Sequence, residues 1–174
     1  MTAQYLHLGP RYEELETFDE YYNRVNCLIP NFPKSVLKQW LFDHFQSVIS
    51  RYAWLEFEKL LFREEMWETE RVIHEIKAWN EPAVESWKTA FFKTPEFKVG
   101  PLITFMHQNG TWPEPPLILD NFNGLRMPDQ SAIARWELIE GHHRLAYLRA
   151  LYENPNWRTI KQHSLWIVTR EERT

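Results

Sequence analysis

ELIEGHHRLAYLRAL, residues 137–151, is the stretch on which the fold reading turns. A short apolar run closes on Glu140; Gly141, two histidines and Arg144 follow, and then Leu145, Leu148 and Leu151 recur at helical spacing. The pattern predicts a strand, a tight glycine turn and a helix stopped by Asn154-Pro155. The first amides of such a helix have no intrahelical acceptor and stand at its positive end, which makes an anion socket. Gly141 permits close approach, Arg144 supplies a bidentate charged clamp suited to phosphate, and His142 and His143 can donate to phosphate oxygens or shuttle protons. The same residues also admit an architectural reading: Glu140 and Arg144 pair across the turn, and the histidines cap the helix.

Working outward, PLILDN (116–121) reads as a preceding strand, reached through the stiff loop WPEPP (112–116), and HSLWIVTR (163–170) as a closing one. GPLITFMHQ (100–108) reads as a short helix ended by an Asn109-Gly110 turn, and NFNGLRMPDQ (121–130) as a long loop. Strand, loop, strand, turn, helix, strand is an α+β pattern with a small mixed sheet.

Residues 11 to about 94 carry helical periodicity instead, and strand signals begin only after about Pro95. The reading is a helical N-terminal region, residues 1–94, packed on a mixed-sheet domain, residues 95–174. After NFPKS, where Pro33 suits a first helical turn, Leu37, Trp40, Leu41, Phe45, Val48 and Ile49 mark one buried face. A second helix is expected across LFREEMWETERVIHEIKAWN (61–80), with Phe62, Met66, Ile73 and Ile76 as its stripe and Glu64, Glu65, Glu68 and Glu70 on a solvated face. Shorter helices are expected in YEELETFDEYYNRVN (12–26) and AVESWKTAFF (83–92). Trp40, Trp54, Trp67 and Trp79 read as core.

The chain of 174 residues is long enough for a substantial core and carries one cysteine, Cys27, which excludes an intrachain disulfide and reads as a buried structural thiol. No apolar run reaches membrane-spanning length and the N-terminus lacks a secretion signal, so a soluble, cytoplasmic protein is expected. A formal net charge of -4 argues against direct DNA binding. His74-Glu75 opens a zinc-protease pattern, but Ala78 stands where the second histidine is required. A metal centre from His107, His142, His143 and His163 is not expected, because adjacent histidines at a helix start diverge by roughly 100°.

LIEGHHRLAYLRA, with PLILDN before it and SLWIV after it, resembles the ParB/sulfiredoxin-like superfamily, whose signature is a strand ending in an acid, then G-x-x-R, then a helix. The resemblance covers about residues 95–170, and its specific part is Glu140, Gly141, His143 and Arg144. It implies a bacterial or phage protein that binds a nucleotide or similar phosphorylated ligand with its phosphates at Gly141, His142, His143 and Arg144. Members take CTP (partition proteins), ATP (sulfiredoxins) or ADP (a free-serine kinase). Mg2+ carried by the nucleotide would be met by Glu140 or Asp120, directly or through water. If the chain is an enzyme, phosphoryl transfer or nucleotide hydrolysis is implied, with Glu140 or His143 as base.

Two departures narrow that implication. His142 stands where sulfiredoxins carry their reactive cysteine, which removes sulfinic-acid reduction. Nothing resembling the helix-turn-helix of partition proteins follows the last strand, so a complete centromere-binding protein is not expected. Residues 1–94 match no member, and the competing reading is a non-catalytic interaction or regulatory module in which the helical region docks a protein partner.

Overall fold

The computed structural model describes residues 3–93 and 100–171. The fold is α+β, with one five-stranded mixed sheet. Two compact units divide the chain: residues 1–62 with 168–174, and Arg63–Ile167. The boundary expected at residues 94 and 95 falls in the stretch 94–99, outside the described residues.

The first unit is largely helical. Helix α1 (Phe18–Val25) starts at a capping box, in which the Thr17 hydroxyl accepts from the Glu20 amide and Glu20 reaches back to the Thr17 amide at 2.8 Å. The helical run after Pro33 is not uniform: α2 (Lys34–Val36) passes through a π-turn, Leu37–Phe42, into α3 (Asp43–Tyr52), which is kinked at His44. The expected stripe from Leu37 to Ile49 is buried throughout, with Trp40 packed among the rings of Phe32, Tyr52 and Phe57. Arg24 fixes the N-terminal turns by donating to both Glu16 carboxylate oxygens, each at 2.8 Å, and to the carbonyls of His7 and Gly9. Cys27 is exposed, not buried as expected: it lies past the end of α1, where the buried positions are Tyr21 and Val25.

Residues 61–80 do not form one helix. Strand β1 (Leu60–Glu68) gives way to α4 (Thr69–Glu75) and a two-residue strand, β2 (Lys77–Ala78). The glutamates suggest helix by propensity, yet ladder pairing overrides it. Glu68 holds an extended ψ of 146°, and the Thr69 amide and hydroxyl then bind the carbonyls of Lys161 and Ile160. Of the expected stripe Ile76 is buried, but Met66 is 57 % exposed.

Helices α5 (Glu81–Lys93) and α6 (Pro101–Asn109) precede β3 (Leu117–Asp120), β4 (Trp136–Glu140), α7 (His142–Glu153) and β5 (Gln162–Arg170). The sheet order is β1-β5-β3-β4-β2, with β2 parallel and β3 antiparallel to β4. The chain leaves the first unit within β1 and returns to it within β5. In the second unit α7 packs on α5, and Leu145, Leu148 and Leu151 join Trp67, Ile76, Phe91, Met106, Ile118 and Leu138 in one core. Arg149 pins α7 by donating to the Glu81 carboxylate and to the Ile76 carbonyl at 3.0 Å.

His163 is fully enclosed in this unit, its Nε2 3.0 Å from the Thr69 hydroxyl and its Nδ1 2.9 Å from the Thr111 hydroxyl. Burial pushes its imidazole down to about 4 from an ordinary value of 6.5. The unfolded chain therefore takes up a proton below about pH 6.5 that the folded chain refuses until about pH 4, and stability falls as pH drops through that window. The full loss is about 3 kcal/mol. Urea midpoints are expected to fall between pH 7.5 and pH 5, and to fall less in His163→Asn; a midpoint unchanged over that range contradicts a buried neutral ring.

Candidate functional site

Strand β4 ends at Glu140, and Gly141 turns the chain into α7 with φ 99° and ψ 27°, a left-handed conformation. The strand, glycine turn and helix fall where the sequence pattern places them. Gly141 brings no side chain of its own to cap α7, and the first turn of the helix carries no acid to offset the partial positive charge there. The turn is also tightly seated: a Cβ on Gly141 would lie 2.5 Å from the Cβ of Pro116 and 3.1 Å from Nε of Arg144.

Arg144 faces inward. It is 8 % exposed, forms an ion pair with Glu140 one turn back, and donates to the Glu114 carbonyl at 2.8 Å. The fork expected to clamp phosphate is engaged within the protein, as in the architectural reading: it ties the end of β4, the start of α7 and the loop before β3 together. Both carboxylate and guanidinium are largely removed from water, which makes the pair costly to break.

The two histidines diverge as helix geometry requires. His142 is half-buried, its ring 6.2 Å from that of Trp79 and nearly perpendicular to it. His143 is exposed, its ring 4.1 Å from Trp87 and 5.9 Å from Tyr147. Trp79, read from sequence as core, is 49 % exposed, because it follows the short strand β2 rather than lying on a helix stripe. An indole face beside the positive end of a helix offers a stacking surface for a planar group.

Asp120 does not join this corner. In the β3–β4 ladder Leu117 stands opposite Glu140 while Asp120 stands opposite Trp136, so the two acids occupy opposite ends of the strand pair. Asp120 is 7 % exposed and is held by Arg135, with Arg63 3.5 Å away. Its neighbour Asn121 is a loop organiser: its side chain donates to the carbonyls of Leu125 and Ile133 and accepts from the Leu125 amide at 2.6 Å. The two acids expected as alternative partners for a nucleotide's Mg2+ thus lie apart, and among the described residues no cluster of three His, Cys, Asp or Glu side chains could hold a metal ion.

Sequence reasoning missed Trp79, Trp87, Glu114 and Pro116 as neighbours of the turn. Only the ladder register, Leu117 against Glu140, brings Pro116 and the Glu114 carbonyl to Gly141. Comparison with known proteins adds no family: no family model, curated protein or solved structure matches the chain.

Gly141→Ala combines positive φ with the clash on Pro116 and is expected to cost about 3 kcal/mol of stability. Gly124 also has positive φ, 68°, but nothing lies within 4 Å of a Cβ there, so Gly124→Ala is expected to cost about 1 kcal/mol. Urea unfolding of both variants checks the difference; equal losses would contradict the close packing at Pro116.

Proposed function

We propose that the chain binds a phosphorylated ligand, a nucleotide first among the candidates, at the β4–α7 corner. The observation that carries this reading is the placement of an exposed indole, Trp79, against His142 at the start of a helix whose N-cap is glycine and whose first turn carries no acid. The phosphate would sit at the α7 amides near His143, and a base would stack on Trp79. Likeness of residues 140–144 to the ParB/sulfiredoxin-like signature supports the same assignment. Arg144, committed to Glu140 and to the Glu114 carbonyl, would hold the turn in shape rather than grip the ligand.

If a reaction follows binding, phosphoryl transfer or nucleotide hydrolysis with Mg2+ brought by the nucleotide is the chemistry proposed. His143 is the better placed of the two expected proton carriers, being exposed where Glu140 is bound by Arg144. A second reading, a non-catalytic interaction module, is favoured by one observation: the Glu140–Arg144 pair and the Glu114 carbonyl close the corner from within, as a purely architectural turn would.

Calorimetry with CTP, ATP, ADP and GTP, each with Mg2+, separates the two. Saturable binding by at least one is expected, weakened about tenfold or more in Trp79→Ala, since base stacking on an aromatic side chain is worth roughly 1–3 kcal/mol. Circular dichroism of the variant should be unchanged. Silence with all four nucleotides would leave the corner architectural and the interaction reading in its place.

A further inference from the structure

A cavity of about 350 Å³ opens in the second unit between β1, the start of β5 and the loop 111–115, and it shares no lining residue with the β4–α7 corner. That volume suits a small molecule. Its apolar wall includes Met66, Trp112 and Pro113; its polar groups are Glu64, Thr111, Gln162 and Ser164. Glu64 is the one ionisable side chain among the described residues that line it.

The protons of these polar groups are mostly spent inside the protein. Ser164 donates its hydroxyl proton to Glu64, and Trp112 donates its indole N–H to the Ser164 carbonyl at 2.8 Å. Thr111 needs one more step. Thr69 gives its only hydroxyl proton to the Ile160 carbonyl at 2.6 Å, so towards His163 it acts as acceptor, and the Nε2 of His163 must carry the hydrogen. Full burial keeps the ring neutral, which leaves Nδ1 bare; it then accepts the proton of Thr111 across 2.9 Å. What remains for an occupant are lone pairs on Thr111 and Ser164 and the second oxygen of the Glu64 carboxylate. Among the described side chains of the lining, only the Gln162 amide has protons to offer. A lining of acceptors around a single negative charge selects a ligand that donates hydrogen bonds and carries positive charge, and the indole and proline wall selects an apolar body beside it.

We propose that this cavity binds a small organic ammonium ion, its N–H groups held by Glu64, Thr111 and Ser164 and its apolar portion lying against Met66, Trp112 and Pro113. The site is independent of the nucleotide reading and stands or falls separately from it.

The test is a nuclear magnetic resonance titration of 15N-labelled protein with benzylammonium chloride, benzyl alcohol and sodium benzoate, three probes of one shape and different charge. Concentrations run to about 10 mM, where a ligand of roughly eight heavy atoms with ordinary efficiency approaches saturation. Benzylammonium is expected to shift the Trp112 indole N–H and the amides of Thr111 and Ser164 saturably, while the other two leave them in place. Glu64→Gln should raise the benzylammonium dissociation constant by about tenfold, the effect of losing a charge-assisted hydrogen bond. The proposal is overturned if benzyl alcohol or benzoate matches benzylammonium, if benzylammonium leaves those signals unmoved, or if Glu64→Gln binds it equally well. Should the variant fail to fold, the three-probe comparison on the unaltered protein decides alone.

Discussion

The buried pair of Glu140 and Arg144 is the constraint around which the second unit is organised. An ion pair with 13 % and 10 % of its two side chains exposed returns little net stability over an apolar pair of the same shape, but removing one partner strands a charge in a dry place. A third member, the Glu114 carbonyl, extends the restraint from β4 and α7 to the loop ahead of β3. That loop alternates: Glu114 faces Arg144, while Pro113 and Pro115 line the cavity on β1 and β5. The left-handed turn at Gly141 is locked in the same act, because Pro116 occupies the space a side chain would need.

How much of this was legible in the sequence follows from the range over which each determinant acts. The β4–Gly141–α7 junction, the stripe from Leu37 to Ile49 and the strands at 117–120 and 162–170 depend on local periodicity and turn chemistry, and these were readable. Residues 61–80 were misread because nothing local distinguishes a glutamate-rich strand from a helix. The deciding interactions are long-range, among them Thr69 bonding to Lys161 and Ile160. The site suffered in the same way. The turn residues Glu140 to Arg144 are consecutive and so legible along the chain, but the inward turn of Arg144 and the separation of Asp120 from Glu140 are consequences of strand register. Trp79 and Trp87 gave no signal that would single them out among nine tryptophans.

The second unit presents two surfaces of different hydrogen-bonding character. At the β4–α7 corner the helix begins at a glycine with no acid in its first turn, beside an exposed imidazole that can both donate and accept. At the β1–β5 cavity it is that of acceptors, since the chain of bonds through Thr111, His163, Thr69 and Ile160 draws the available protons inward. The distinction comes from the satisfaction of buried polar groups, which leaves each surface with what the interior does not use.

The order in which the chain is made sets a problem for its first unit. Arg170 bonds to the Leu55 carbonyl and pairs with Glu56, and the Glu171 amide reaches the Lys59 carbonyl, so the residues that complete this unit are synthesised only after the whole of the second. On a ribosome adding about 5–20 residues per second, the whole of Arg63–Ile167 emerges in the interval, a delay of roughly 5–20 s. Throughout that delay the nascent segment bearing Trp40 and Phe57 lacks its closing partner, while every residue of the second unit is in place before Val168 is added. The second unit is thus fully synthesised before the first is complete.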